Sequence, residues 1–440
     1  MRDHSNHIEF SRENAISAML DACGFAFNFD EGKNAPQTAK ERSEILPLTC
    51  AYGRVLAEDV TSRVCVPSVL TCCMDSVAVH WSAFEDGKTP DFSTWERGID
   101  WEFANTGIAM PEGFDTAVVI EHVKVSADEQ HIEIDAFPSK QFAGTKAPGA
   151  TMQVGDTLAS AGTVITPDVA AVIASGNIGH VRVMKRPRVA FIPTGNELIP
   201  PAVPTRNDGK FAGLGKNFET NSILIQGRVQ QWGGTCQVFD IVPDDPTLIE
   251  QAIHEACECA DIVVLNAGSS KGSDDWSCEQ MEKIGTVLFH ETNHGPGHHS
   301  SFAMVDNTPV VGISGPARGA SLTLNFYLLP LIKAYLGLSA KPKTAWARLD
   351  EEFPKKHKKP SAEKREAKPI SGEQRPSVVQ NDRKFFGIKP VQVEYKDDGM
   401  LHVIPVQDKN PQVSANAIYM LASDPDKHPA VGDIIEIEWR

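Results

Sequence analysis

The sequence predicts an α/β protein of several domains, with a central parallel sheet that carries helices on both faces. Short apolar strands such as VAFIP, DIVVL and PVVGIS alternate with helical stretches between residues 188 and 335, a pattern typical of parallel sheets. Between residues 64 and 125, short alternating segments are separated by Pro, Gly and Asp and predict a β-rich unit. Beyond residue 380, further strand-like segments joined by Asp-Gly and Val-Gly-Asp turns predict a small all-β domain at the C-terminus.

The domain order follows from these changes of pattern. Ser11 precedes a helix whose apolar positions share one face, namely Ala15, Ile16, Met19 and Leu20. The region from 339 to 380 is rich in Pro and Lys, which is typical of a linker or an exposed loop. We therefore expect an elongated N-terminal domain (1–63 with 146–185), an inserted β-rich domain (64–145), an α/β domain (186–338), the linker or loop (339–380) and a C-terminal β domain (381–440).

Composition and charge exclude several classes of protein. The formal net charge of −16 argues against a nucleic-acid-binding protein, because binding to phosphates requires a positive surface. The nine cysteines lack the spacing of a disulfide framework or a zinc site. The N-terminus has no signal-peptide pattern, and no apolar run reaches the roughly 20 residues that span a bilayer. We therefore expect a cytoplasmic protein without nucleic-acid or membrane partners, and we interpret the basic run KKHKKPSAEKREAK as a solvated loop.

Four loops follow predicted strands of the α/β domain, and ligands of such sheets bind at the carboxyl ends of the strands. The first is TGNE (194–197), in which Glu197 is either a solvated turn residue or a ligand for a cation or polar group. The second is NAGSSKGSDD (266–275), whose small residues permit a close approach to an anion. Asp275 in that loop is equally consistent with a helix cap.

The third and fourth loops are also rich in glycine. GPGHHSS (295–301) contains paired histidines without the spacing of a metal site, which indicates exposed loop histidines. GISGPARG (312–319) leads into the last long helix and offers Arg318 as a phosphate partner. Each loop alone is a weak indication. Together, glycine-rich turns at one edge of a sheet predict a pocket for an anionic ligand.

The order of these loops and of the motifs before them is more specific than any single motif. In chain order the motifs are VPSVLTCCMDSVAV (66–79), TGIAMPEG (106–113), AVV (117–119), PRVAFIPTGNEL (187–198), TN (220–221), DDP (244–246) and the three glycine-rich loops above. This arrangement resembles the molybdopterin molybdenumtransferase (molybdenum insertase) family, which includes the E domain of gephyrin. The resemblance runs from about Ser11 to Gly337 and, more loosely, through the C-terminal β domain.

The resemblance implies a function in molybdenum cofactor biosynthesis. Members of the family bind adenylylated molybdopterin, release AMP and insert metal from molybdate with the help of Mg²⁺. The resemblance also implies a homodimer, with an upstream adenylyltransferase and downstream molybdoenzymes as partners. By position, catalytic roles fall on Asp75, Thr106, Glu197 and Asp275, of which Glu197 and Asp275 would also bind the metal. The residues implied in pterin binding are Thr194, Gly195, Asn221, Gly268, Ser269, Ser270, Gly297, His298, Gly315 and Arg318.

The sequence also departs from the family pattern. Gly295 and His298 replace the two lysines of the family's KPGKP motif, and histidine is only partly charged near neutral pH. Pro316 and Ala317 replace the asparagine and proline of its GLPGNP motif. Lys271 and Arg318 are new positive charges nearby, and we hypothesise that they compensate.

Two other functions therefore stay open beside the enzyme. The chain is alternatively a non-catalytic carrier or chaperone that binds molybdopterin without turnover, or a dimeric scaffold that acts through its basic loop. The retained carboxylates and the complete domain order favour the enzyme. The sequence does not distinguish molybdate from tungstate.

Overall fold

The computed structural model describes residues 9–25, 41–201, 215–267, 277–354, 385–407 and 414–440. The chain divides into two compact units, a larger unit of Met1–Gln37 with Arg186–Arg440 and a smaller unit of Thr38–Lys185. Among the described residues, no helix has both the length and the apolar character needed to cross a membrane.

The larger unit begins with a short strand, β1 (Glu9–Phe10), and a helix, α1 (Arg12–Ala22). Ser11 caps this helix, because its hydroxyl accepts a hydrogen bond from the Asn14 amide at 3.2 Å. The four apolar positions predicted to share one face are all buried, which confirms the predicted helix. The sequence analysis places this helix with residues 1–63, whereas the structure groups it with the α/β part of the chain, against which it packs.

The smaller unit consists of short antiparallel strands and one α-helix. Its elements are β2 (Ser43–Pro47), β3 (Val60–Thr61), β4 (Thr71–Cys72), β5 (Ser76–Val79), β6 (Trp101–Ala104), β7 (Thr116–Val119), β8 (Val123–Val125), β9 (Ile132–Ile134), β10 (Thr145–Lys146), β11 (Thr157–Ala159), α2 (Pro167–Ser175) and β12 (His180–Met184). Strands β6, β5 and β7 form a sheet around the buried side chains of Val77 and Trp101. A second core, which includes Ile173 of α2 and Val183 of β12, lies with the β2–β12 pair. The β-rich character predicted for this part of the chain is confirmed.

The α/β part of the larger unit follows directly. Its strands are β13 (Arg188–Ile192), β14 (Leu198–Ile199), β15 (Asn217–Phe218), β16 (Thr235–Val238), β17 (Ile262–Ala267), β18 (Thr286–Phe289), β19 (Glu291–Thr292), β20 (His294–Gly295), β21 (Ser301–Val305) and β22 (Thr308–Ser314). The helices between these strands are α3 (Asn221–Gln231), α4 (Pro246–Cys259) and α5 (Ser277–Ile284).

Six of these strands form the central sheet, in the order β16-β13-β17-β22-β21-β18. The first four are parallel, as predicted. Strand β21, which the sequence analysis does not predict, is antiparallel to both β22 and β18. Helices α4 and α5 bury Ile253 and Met281 in the core on one face, while α3 packs on β13 and β16. The predicted fold class, a sheet with helices on both faces, is confirmed.

The strand directions decide which loops lie together. Because β13, β17 and β22 are parallel neighbours, the loops that follow them leave the sheet at the same edge. Strand β18 runs in the same direction, since it is antiparallel to β21, which is itself antiparallel to β22. All four loops selected from the sequence therefore leave from the carboxyl edge of one sheet.

The last long helix of the α/β part contains an irregular turn. It comprises α6 (Ala317–Thr323), a π-helical turn (Leu324–Leu328) and α7 (Leu329–Tyr335). Pro330, the second residue after the π-helical turn, has no backbone N–H to offer the preceding turn. The irregularity is thus explained by a proline inside a continuous helix.

The C-terminal part forms a closed five-stranded barrel. Its strands are β23 (Thr344–Leu349), β24 (Phe386–Tyr395), β25 (Leu401–Pro405), β26 (Ala417–Ala422) and β27 (Ile434–Trp439). The barrel closes because β24 pairs with both β25 and β26. The sequence analysis assigns 339–380 to a linker or loop, and this is wrong for β23, which pairs with β25 and β27. Residues 355–384, with the basic run, lie outside the described residues.

A charged cluster ties two turns of the barrel to β25. His402 Nδ1 lies 2.8 Å from Asp350 Oδ1, and its Nε2 lies 2.8 Å from Asp398 Oδ2. Lys396 Nζ also contacts Asp350, at 2.7 Å. Both ring nitrogens face carboxylate oxygens, which accept hydrogen bonds only, so the doubly protonated imidazolium is favoured. The hydrogen bond with Asp350, followed by the one with Asp398, raises the pKa of His402.

This pKa shift predicts a pH-dependent contribution to stability. A raised pKa in the folded state stabilises the protein fully below the pKa of unfolded histidine, about 6.5, and the effect is lost as pH rises through the folded-state pKa. We expect His402→Gln to lower the free energy of unfolding more at about pH 6 than at about pH 9, measured by urea titration. His428→Gln is the control, because this exposed histidine of the same barrel bonds a backbone carbonyl, that of Ala422. An equal loss for His402→Gln at both pH values would contradict this prediction.

Candidate functional site

The loops after β13, β17 and β22 are joined by buried hydrogen bonds at the carboxyl edge of the sheet. Asn221, the first residue of α3, donates from Nδ2 to Asn266 Oδ1 and to the Gly315 carbonyl oxygen, each at 2.9 Å. The Thr194 hydroxyl donates to the Asn266 carbonyl oxygen. The side chains of Thr194, Asn221 and Asn266 are nearly buried. One small polar cluster therefore holds three loops from different parts of the chain.

Asn221 also keeps an unused acceptor at this position. Its Oδ1 is buried and has no hydrogen-bond partner among the described residues. Because a buried acceptor without a partner is costly, it marks a place where a donor would be stabilising. Asn266 is the first residue of the second predicted loop, but no individual role is predicted for it from the sequence. A polar residue at the end of the apolar strand IVVLNA is the signal that would have found it.

The turn after β13 depends on a glycine. Gly195 has φ +144°, and a Cβ at this position would lie 2.6 Å from Glu197 Oε2. The exposed carboxylate of Glu197 therefore packs directly on the Gly195 backbone. Asn196 N donates to Asp244 Oδ2 at 2.9 Å, and Asp244 N donates to Asn196 Oδ1 at 3.3 Å, which ties this turn to the DDP motif.

The turn after β18 packs against the start of α6. Gly297 has φ +93°, and a Cβ there would lie 2.9 Å from Thr323 Oγ1. The Ser300 hydroxyl donates to the Gly297 carbonyl at 2.6 Å and lies 3.1 Å from Thr323 Oγ1. At the start of α6, a Cβ on Gly319 would lie 2.6 Å from Ser314 Oγ. Two of the glycine-rich loops are thus in close contact, and both need glycine for their approach.

The paired histidines differ from the sequence expectation of exposed side chains. His298 and His299 are half-buried, and their ring centroids lie 3.5 Å apart. His299 Nδ1 also lies 3.7 Å from Glu291 Oε1. Packing of the loop against α6 and the barrel residue Phe385 explains this partial burial.

Arg318 lies on the exposed side of the α6 start. With Ser321 and Leu322 it lines a small cavity beside the barrel, together with Ile388, Pro390, Ile418 and Arg440. Within the described part of the chain, Arg318 forms no ion pair with a carboxylate.

In the smaller unit, the structure brings Asp75 and Thr106 together. Asp75 Oδ1 accepts hydrogen bonds from both the backbone N and the hydroxyl of Thr106, each at 2.9 Å. These two bonds hold the pKa of Asp75 below its usual value, with the backbone bond as the larger cause. Both residues are exposed, and the carboxylate stays ionised at neutral pH. Their pairing is a feature that the sequence analysis does not predict.

Most of the second predicted loop, residues 268–275, lies outside the described residues. This applies to Gly268, Ser269, Ser270, Lys271 and Asp275. In the described ranges, no group of three or more His, Cys, Asp or Glu side chains is arranged to hold a metal ion. Glu197 offers an exposed carboxylate at the sheet edge, and carboxylate oxygens suit a hard cation such as Mg²⁺.

Two family models match consecutive parts of the chain. One is described as "MoeA N-terminal region (domain I and II)" and matches residues 11–176. The other is described as "Probable molybdopterin binding domain" and matches residues 190–334. The second match covers the central sheet and the loops at its carboxyl edge.

Similar proteins agree with these matches. A protein from Haemophilus influenzae named "Molybdopterin molybdenumtransferase" is 27% identical over 308 residues, which are 67% of this chain and 74% of that protein. One of the same name from Nostoc sp. is 27% identical over 322 residues, 68% of this chain and 71% of that protein.

A solved structure shows the same fold along nearly the whole chain. The molybdopterin biosynthesis moeA protein from Pyrococcus horikoshii matches with a TM-score of 0.71 at 19% identity, over 98% of this chain and 99% of that one. With both family regions present in the family's order, the chain belongs to the molybdopterin molybdenumtransferase family.

Proposed function

We propose that this chain is a working molybdopterin molybdenumtransferase, which inserts molybdate-derived metal into adenylylated molybdopterin and releases AMP. The observation that carries the proposal is the buried cluster of Thr194, Asn221 and Asn266, which joins the glycine-rich loops at one edge of the sheet. Family membership supplies the reaction, and this edge is where ligands of parallel sheets bind.

The residues divide into groups by chemistry. Phosphate oxygens would be bound by backbone amides of the glycine-rich turns, including Gly297 and Gly315, and by the loop with Gly268, Ser269 and Ser270. Gly195, whose own N–H donates to the Val242 carbonyl at 3.1 Å, would let the pterin approach the backbone closely. Thr194 and Asn221 hold the turns in place and contribute to the pterin pocket. Arg318 contributes positive charge, and His298 contributes a polar ring in place of the lysine.

The carboxylates are proposed to bind the metal and to take part in catalysis. Glu197 and Asp275 would bind Mg²⁺, which when present offsets phosphate charge. Asp75, kept ionised by Thr106, is the third proposed catalytic carboxylate, and the Thr106 hydroxyl is proposed to act with it.

Charge is the point at which this member differs most from its family. The two KPGKP lysines are replaced by Gly295 and His298, so binding of the anionic substrate must rely more on Arg318 and Lys271. This replacement favours one alternative, a carrier or chaperone that binds molybdopterin without turnover. Measured AMP release separates the two functions.

The same proposal extends to the compartment, the oligomeric state and the partners of the protein. We place the chain in the cytoplasm as a homodimer, downstream of an adenylyltransferase that supplies its substrate and upstream of molybdoenzymes that receive its product.

The enzyme reading predicts AMP release from adenylylated molybdopterin in the presence of molybdate and Mg²⁺. Glu197→Gln should reduce kcat on the order of tenfold or more, because a neutral amide binds a hard cation poorly. Glu255→Gln, an exposed carboxylate change on α4, is the control and should leave the rate unchanged. Molybdopterin binding without AMP release by the unmodified protein would establish the carrier instead.

The hydrogen bonds of Asn221 predict that its loss lowers both the stability of the protein and its affinity for the pterin. Asn221→Ala leaves Asn266 Oδ1 and the Gly315 carbonyl without this donor and should lower the free energy of unfolding by about 1–3 kcal/mol. It should also weaken pterin binding, since the loops lose their common anchor. Urea titration and fluorescence binding measure the two effects. Gln226→Ala, an exposed position on the same helix, provides the comparison, and equal behaviour of the two variants would refute the anchoring role.

A further inference from the structure

A buried polar trio lies beneath the Gly295–Ser300 loop. His294 Nε2 lies 2.7 Å from the Tyr327 hydroxyl and 3.2 Å from Thr292 Oγ1. Thr292, His294 and Tyr327 are all nearly inaccessible to solvent, with exposed fractions of 2%, 0% and 0%. Polar side chains are seldom buried so completely unless they bond one another, and these three do so across two separate segments of the chain.

The trio is connected directly to the residue that replaces the second KPGKP lysine. Thr292 N donates to the His298 carbonyl oxygen at 2.8 Å, and Thr292 Oγ1 lies 3.4 Å from the same oxygen. These contacts close the turn from 292 to 298. The position of His298 therefore depends on Thr292, and Thr292 is held through His294 and Tyr327.

Tyr327, the member of the trio that lies on a helix, is held in place by the packing of its neighbour Phe326. Tyr327 lies in the π-helical turn, next to Phe326, whose ring meets His294 edge-on at 5.0 Å. The Arg12 guanidinium lies 4.3 Å from the Phe326 ring centre and forms a 2.7 Å ion pair with Glu438. The Tyr327 hydroxyl therefore belongs to a helix turn that is packed closely against its neighbours.

The trio is uncharged under ordinary conditions. Burial, with a further contribution from the Arg12 charge, lowers the pKa of His294 to about 3. Burial also raises the pKa of Tyr327 well above its ordinary value. The hydrogen bonds of the trio therefore persist across the pH range in which an enzyme assay is run.

We propose that Thr292, His294 and Tyr327 are positioning residues that hold the Gly295–Ser300 loop, and with it His298, in the conformation used by the pterin pocket. The proposal rests on the proposed function for its effect on catalysis, whereas the positioning of the loop can be measured independently. The three residues do not touch the substrate; they act through the backbone of the loop.

Tyr327→Phe tests the proposal, because it removes one hydroxyl and leaves the ring. Amide hydrogen exchange in the peptide covering 291–300 should become faster, and KM for adenylylated molybdopterin should rise about fivefold with kcat little changed, as expected for one lost buried hydrogen bond. Thr292→Val, which replaces a hydroxyl by a methyl group, should have the same two effects if Tyr327→Phe does not fold.

Tyr335→Phe is the matched control. Its hydroxyl donates to the Asp261 carbonyl at 3.0 Å from the far end of the same helix, away from the loop. This variant should leave both the exchange of 291–300 and KM unchanged.

The outcomes are distinguishable. Unchanged exchange of 291–300 in both Tyr327→Phe and Thr292→Val overturns the positioning role. A fall in kcat at constant KM also overturns it, since that would place these groups in the chemical step. Faster exchange in a protein that releases no AMP supports the positioning role and rejects the proposed function.

Discussion

The carboxyl edge of the central sheet depends on one buried amide group, that of Asn221. Its two N–H bonds are directed to Asn266, at the end of β17, and to Gly315, before α6. Thr194 adds a third contact to the same strand end. A hydrogen bond in such a dry environment is strong, and an unpaired acceptor there is costly, so the three loops are held in one arrangement. The other features of the site are built on that arrangement.

Close approach of backbone to side chain gives the site its shape. Glu197 packs on Gly195, Thr323 on Gly297 and Ser314 on Gly319, at distances that leave no room for a Cβ atom. The glycines therefore permit contact inside the protein as well as access for a ligand. This explains why the loops are compact, and it places polar atoms and backbone amides at the same edge of the sheet.

The distribution of charge sets this member apart from its family. Where the family has lysines, this chain has Gly295 and His298, and beneath them lies a neutral buried trio of Thr292, His294 and Tyr327. In this chain the conformation of the loop is supported by hydrogen bonds in the protein interior. The proposed binding of an anion would then depend on backbone amides and on Arg318.

The sequence by itself determined the elements whose signal is local. The apolar runs of β13, β17 and β22, the alternation with helices and the capped helix α1 were all predictable, and with them the edge at which the loops gather. Tertiary structure alone decided the rest. Strand β21 begins with polar Ser301 and is paired on both sides, with β22 and β18. Strand β23 lies inside the Pro- and Lys-rich region and becomes a strand through β25 and β27, which are distant in the sequence. Tertiary structure also decided the hydrogen bonds of Asn266 and the pairing of Asp75 with Thr106. Hydrogen bonds between segments far apart in the chain form only when packing brings donor and acceptor within about 3 Å, and no local pattern encodes that distance.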